Sequence, residues 1–107
     1  MAWRIEIKER AVEHFRWFGK RTARKLLKAV LSCLEHDPLA DTKNLKTLRP
    51  NKIAQRELRL FGKYRVLFSV DKPEHLATVI LVGEKRGDRL LVLGEEFRAH
   101  HESDPVE

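Results

Sequence analysis

Cysteine is nearly absent. Cys33 stands alone in the chain, so no disulfide can form within it. Its setting in Leu31-Ser32-Cys33-Leu34 predicts a packed thiol in a reducing compartment. No apolar run approaches the roughly 20 residues that a membrane-spanning helix needs. The opening Met1-Ala2-Trp3-Arg4-Ile5-Glu6 carries charge where a secretory signal has its apolar core. Cytoplasm is therefore the expected compartment, with no membrane partner. The five glycines are scattered and form no phosphate-cradling loop. Five histidines (His14, His36, His75, His100, His101) show no metal-ligand spacing. Neither a metal nor another cofactor is expected.

What the chain has in quantity is positive charge. It carries 22 Lys and Arg against 16 Asp and Glu, a net charge of +6 over 107 residues. The balance alone argues only weakly for an anionic partner, but its distribution argues more. From Lys43 to Arg65 stand eight basic residues (Lys43, Lys46, Arg49, Lys52, Arg56, Arg59, Lys63, Arg65) and one acid, Glu57. Lys85, Arg86 and Arg89 follow later. A single-sign stretch of this kind is either a solvated face or a polyanion site. By contrast, residues 99–107 read as an acidic tail, leaving 1–98 as one domain.

Periodicity supplies the elements. Trp3, Ile5 and Ile7 alternate with charged residues, as in a half-buried strand. Ala11, Phe15 and Phe18 recur at helical spacing until Gly19. Ala23, Leu27, Val30 and Leu34 form the inner stripe of a second helix, from about Thr22 to His36. Asp37-Pro38 ends it. An irregular basic segment through Asn51 follows. Ile53 to Leu60, Tyr64 to Val70 and Leu76 to Val82 then read as three strands. Their turns fall at Phe61-Gly62-Lys63 and around Asp71-Lys72-Pro73-Glu74. Arg89-Leu90-Leu91-Val92-Leu93 reads as a short strand or extended segment. The fold class is α+β: an N-terminal strand and a two-helix hairpin packed on a mainly antiparallel sheet of four to five strands, in the order β-α-α-β-β-β with a short C-terminal element.

This arrangement sets the start of the run at Arg65 beside the end of the run before Arg86. Arg65, Lys85 and Arg86 are thereby expected at one edge of the sheet, where fixed positive charge suits a phosphate. Strand alternation puts Glu57 and Arg59 on one face, where each neutralises the other, and turns Tyr64 away from Arg65 toward the core.

In this order of elements the chain resembles the RelE/ParE superfamily of toxins from bacterial type II toxin–antitoxin systems. The resemblance runs from Trp3 to about Phe97. It rests on Glu57-Leu58-Arg59, Tyr64-Arg65-Val66-Leu67-Phe68 and Val82-Gly83-Glu84-Lys85-Arg86-Gly87, with Asp37-Pro38 and Leu45-Lys46-Thr47-Leu48. It implies one of two activities. RelE-like members cleave mRNA in the ribosomal A site without a metal, whereas ParE-like members poison DNA gyrase. Both are held inactive by a cognate antitoxin, through which operator DNA can also be bound.

For the nuclease branch, the resemblance makes Arg65 and Arg86 the arginines that steady the phosphate, with Lys85 beside them. Lys46, Arg49, Lys52, Arg56, Arg59, Lys63 and Arg89 become candidate contacts to RNA and the ribosome. Glu57 is a possible base. The family's proton-moving residues are not matched: the strand before Arg65 holds Gln55 and Glu57, and Val92 stands where a tyrosine is usual. Three expectations therefore stand open. They are a ribosome-dependent mRNA endoribonuclease that inhibits translation, a gyrase poison, and a weakened toxin serving as antitoxin partner and co-repressor.

Overall fold

A computed structural model describes residues 2–98; the acidic segment 99–107 lies outside the described residues. The chain runs β1 (Arg4–Ile7), α1 (Glu9–Trp17), α2 (Lys20–His36), β2 (Leu45–Thr47), β3 (Arg56–Leu60), β4 (Tyr64–Asp71), β5 (Leu76–Arg86), β6 (Arg89–Val92) and β7 (Glu95–Glu96). The α+β reading stands, with a larger sheet than expected. Seven strands join in the order β2-β3-β4-β5-β6-β7, with β1 parallel to β5 and every other pairing antiparallel.

The added strands have local causes. β2 forms inside the segment that reads as irregular, because Leu45 and Thr47 pair across to Leu58 and Arg56 of β3. β5 continues past Val82 to Arg86 because β6 folds back as its partner over residues 84–86. Three residues without hydrophobic alternation carry too little pattern to announce a strand.

Two cores lie on the two sides of the sheet. On the helix side, Val66 and Phe68 of β4 and Ala77, Val79 and Val82 of β5 pack against Ala11, Phe15, Leu26, Val30 and Leu34 of the helices. Gly19, at φ 87°, makes the reversal between α1 and α2 that residues with a Cβ rarely adopt. On the far side, Ala54, Leu67 and Leu81 form a smaller cluster with Leu48, Ile53, Leu90, Val92 and Phe97.

A β-bulge divides β5. Phe68 pairs with Val79 but Leu67 pairs with Leu81, which leaves Ile80 as the extra residue. Beyond that point every side chain of β5 exchanges faces relative to strict alternation. Near the bulge one edge of β5 lacks a strand, since β1 pairs only as far as Val79 and β6 only from Glu84. His14 of α1 fills this gap. Its buried Nδ1 accepts the Val82 N–H at 3.1 Å. Burial pushes the His14 imidazole below its ordinary pKa, and the charge of Arg10 adds to the shift.

Cys33 departs from the expected packed thiol. It lies exposed on the outer side of α2. Trp17 is also largely exposed, with its ring set against Gly94, whereas Trp3 stacks on His75 with ring centroids 3.8 Å apart. No helix among the described residues is long and apolar enough to cross a membrane.

Candidate nucleic-acid interface

The side of the sheet opposite the helices collects the charge. Registers place Lys46 of β2 opposite Glu57 of β3, and Arg59 of β3 opposite Arg65 of β4. Two arginines directly across a strand pair repel. The Glu57 carboxylate offsets this by taking both: Oε1 accepts from Arg59 Nε at 3.2 Å, and Oε2 lies 4.0 Å from Arg65 Nε. Arg65 further donates to the carbonyl oxygens of Tyr64 at 3.1 Å and Gly62 at 3.3 Å. Burial pulls the Arg65 guanidinium below its ordinary pKa; Glu57 opposes that shift and Arg59 adds to it. An arginine stays charged through such a shift.

Next to this bridge opens a cleft of about 660 Å³. Arg49, Lys85 and Arg89 line it with Glu57, Asp88 and Glu96, and Leu67, Leu90 and Phe97 form its apolar floor. Arg49 and Lys52 belong to a loop built on Asn51. The Asn51 Oδ1 accepts the N–H groups of Ile53 at 2.7 Å and Ala54 at 3.1 Å, while its Nδ2 donates to the Arg49 carbonyl at 2.7 Å. The loop is thus held by a side chain that mimics backbone turns, and both basic residues are exposed.

Gly83 opposes Arg65 across the β4–β5 pair. A methyl group there would lie 2.7 Å from the Leu91 carbonyl oxygen and 3.0 Å from the Leu90 side chain. Only glycine lets β6 fold this close over the cleft floor. Gly83, Asn51 and Asp88 carry no chemistry-bearing signal as a sequence. The short spacing of Gly83 and Gly87 is the one cue to a tight β5–β6 hairpin.

The expected arginine pair separates in the structure. Downstream of the bulge, Lys85 shares the face of Arg65 and Gly83, while Arg86 has the parity of Glu84 on the helix side. Arg86 is 67% exposed, with its Nε 3.8 Å from the Glu84 carboxylate, which also holds Lys63 at 3.5 Å. The bulge thus brings Arg65 and Lys85 to one face and turns Arg86 away from it. Arg89 pairs with Glu96 at 3.8 Å on the cleft rim.

Arg56 requires a larger correction. It is only 6% exposed, on the helix-side parity with Leu58 and Leu60. Its guanidinium donates to the carbonyl oxygens of Pro38 at 2.6 Å and Ala40 at 2.8 Å, with Asp41 at 4.0 Å. Arg56 therefore anchors the segment leaving α2, and its guanidinium is taken up there instead of standing free on the charged face. Tyr64 packs edge-on to Phe18, with ring centroids 5.2 Å apart, as its alternation predicts. Among the described residues, no three His, Cys, Asp or Glu side chains converge as metal ligands.

No protein-family model and no curated protein sequence matches the chain. Solved structures do. The archaeal RelE–RelB complex of Pyrococcus horikoshii matches with a TM-score of 0.62 at 25% identity, over 81% of this chain and 98% of that one. The isolated RelE toxin of E. coli matches with a TM-score of 0.62 at 25% identity, over 81% and 89%. The fold is that of a RelE toxin. The RelBE2 toxin–antitoxin complex of Mycobacterium tuberculosis agrees in fold, with a TM-score of 0.68 at 18% identity over 79% and 93%. In this chain the charged face of the sheet lies opposite the helical hairpin, with Lys46, Arg59, Arg65 and Lys85 fixed on strands.

Proposed function

We propose that the chain is the toxin of a type II toxin–antitoxin system, a ribosome-dependent and metal-independent mRNA endoribonuclease acting in the cytoplasm. The observation that carries this reading is the Arg59–Glu57–Arg65 bridge beside Lys85, set on the exposed face of a RelE fold. Such a face meets the demands of RNA cleavage by the 2′-hydroxyl. That hydroxyl attacks the adjacent phosphorus, its proton leaves to a base, the bond from phosphorus to the 5′ oxygen breaks, and an acid protonates the leaving oxygen. The products are a 2′,3′-cyclic phosphate and a 5′-hydroxyl.

In this reading the phosphate replaces the Glu57 carboxylate as the partner of Arg65 and Arg59. The guanidinium groups then meet the charge that builds on phosphorus, pre-oriented by the strand and the Gly62 and Tyr64 carbonyls. Glu57, released from its ion pairs, accepts the 2′-hydroxyl proton. The Lys85 ammonium, on the same face, is the donor for the departing oxygen. Lys46, Arg49, Lys52 and Arg89 bind the flanking RNA and ribosome, and Lys63 and Arg86 contribute from the strand ends. The partner that keeps the toxin inactive is a cognate antitoxin, which also carries the complex to operator DNA.

One observation favours a second reading, a weakened toxin that serves as antitoxin partner and co-repressor. Arg65 is already neutralised by a carboxylate, and Arg86 lies off the face. Translation extracts with programmed ribosomes separate the readings. The nuclease cuts mRNA in the A site, and Arg65→Ala abolishes the cuts. Growth arrest with intact mRNA refutes the nuclease, inhibited DNA supercoiling in its place would point to gyrase, and no arrest at all would point to the weakened toxin.

A further inference from the structure

The first half of α2 is basic with no acid of its own to answer the charge. Lys20, Arg21, Arg24, Lys25 and Lys28 are all exposed, and they fill five of the first nine positions of the helix. On the helical repeat they form one stripe about 12 Å long, at about 1.5 Å per residue. It faces away from the inner stripe of Leu26, Val30 and Leu34. The candidate nuclease face lies on the other side of the sheet, so the two basic surfaces are separate.

The helix itself opposes this placement. The N-terminal end of a helix carries partial positive charge, which disfavours cations there. The first turn of α2 holds no acid, and Gly19 provides no side-chain cap. Among the described residues none of the five cations forms an ion pair; every salt bridge involves other basic residues. Five like charges crowded onto the unfavourable end of a helix cost stability, and an external polyanion offsets that cost.

A second observation identifies the kind of polyanion. Phe61, in the turn between β3 and β4, is 52% exposed, and the Lys25 Nζ stands 4.4 Å over its ring. The backbone at Phe61 has φ 51°, a conformation that a bulky side chain seldom adopts. An open aromatic ring beside a row of cations is the arrangement that binds nucleic acid, the ring stacking on an unpaired base and the cations following the phosphates. An acidic protein segment would satisfy the charges but give the exposed ring no comparable partner.

We infer that the α2 stripe and Phe61 form a second RNA-binding surface, which takes a structured RNA with an unpaired base, such as a stem–loop. The surface binds and does no chemistry. Lys25 leaves the Phe61 ring to meet a phosphate as a base stacks in its place. The inference goes beyond the nuclease reading and stands if that reading fails, because none of its residues belongs to the sheet face.

The test uses the full-length chain in an Arg65→Ala background, which keeps the probe intact whether or not the sheet face is a nuclease. Fluorescence polarisation of a fluorescein-labelled RNA hairpin with an adenine loop is read from 50 to 200 mM KCl. The triple change Arg21→Gln, Lys25→Gln and Lys28→Gln should lower the slope of log affinity against log salt by about two to three, at about 0.7–0.9 per phosphate contact. Phe61→Ala should weaken binding about fivefold or more through lost stacking, and Phe61→Trp should restore it. Circular dichroism and thermal melting verify that each variant folds. A folded triple variant with the parent's affinity and slope overturns the inference. So does one that binds the hairpin normally but loses a protein that copurifies with the parent.

Discussion

Replacing Glu57 with glutamine should tighten RNA binding and abolish cleavage together. The carboxylate stands 4.0 Å from Arg65 Nε, with side-chain exposures of 12% for Arg65 and 18% for Glu57. At about 4 Å and an effective dielectric near 20, two unit charges attract by about 4 kcal/mol. Fully exposed pairs measure only about 0.2–1 kcal/mol. A half-buried pair lies between these limits, at about 1–2 kcal/mol net. Incoming RNA must give up that much to displace the carboxylate, and Glu57→Gln removes the competitor while keeping the shape. At about 1.4 kcal/mol per tenfold, affinity rises roughly five- to thirtyfold. Binding is read on programmed ribosomes with an mRNA carrying a 2′-deoxy nucleotide at the scissile position, so that no cleavage intervenes. Cleavage of the unmodified mRNA should fall about 10²–10⁴-fold with loss of the base. Unchanged or weaker binding by Glu57→Gln would refute the idea that this carboxylate holds the phosphate site closed. Tighter binding with undiminished cleavage would retain that role and remove Glu57 as the base.

Three further outcomes follow from the geometry. Arg56→Ala leaves the Pro38 and Ala40 carbonyls without their charged donor; at roughly 1.5 kcal/mol or more for each bond to a charged group, the midpoint of thermal unfolding should fall by about 10 °C or more, whereas an unchanged midpoint with weakened RNA binding would return Arg56 to the interface. Gly83→Ala places a methyl 2.7 Å from the Leu91 carbonyl oxygen, so β6 must shift, and a loss of about 1–3 kcal/mol is expected by urea unfolding; wild-type stability would show that the hairpin yields without cost. His14, held neutral by burial, contributes stability that is fully present above the unfolded histidine value of about 6.5 and is lost as pH falls from there toward the lowered folded value, by at most about 1.4 kcal/mol per pH unit. Urea midpoints measured across pH 5–8 should therefore flatten in His14→Gln relative to the parent, and parallel profiles would remove His14 as the titrating group.

Much of the fold was legible because hydrophobic spacing is local. The helical hairpin follows from the stripes of Ala11, Phe15 and Phe18 and of Ala23, Leu27, Val30 and Leu34. The strands of the sheet centre follow from alternation on either side of Phe61-Gly62-Lys63. The placement of Tyr64 in the core and of Glu57 with Arg59 on one face also came from alternation alone. Three-residue β2, two-residue β7 and the extension of β5 were not legible, since each exists only through its partner strand. Arg56 looked like one more cation of the basic run. Its burial depends on Pro38 and Ala40, carbonyls 18 and 16 residues away, which no local pattern links to it.

The basic run between Lys43 and Arg65, its single acid and the order of the elements were properties of the sequence by itself, and they determined that a charged surface would be fixed on a sheet beneath two helices. Which cations share that surface was decided by tertiary structure. Strict alternation from Ala77 and Val79 would send Arg86 to the face of Arg65. The extra residue at Ile80 reverses the order, so that Lys85 arrives there and Arg86 turns to Glu84. A bulge of one residue inverts every side chain that follows it, and it arises from the pairing of β4 with β5, two segments whose register no single strand contains.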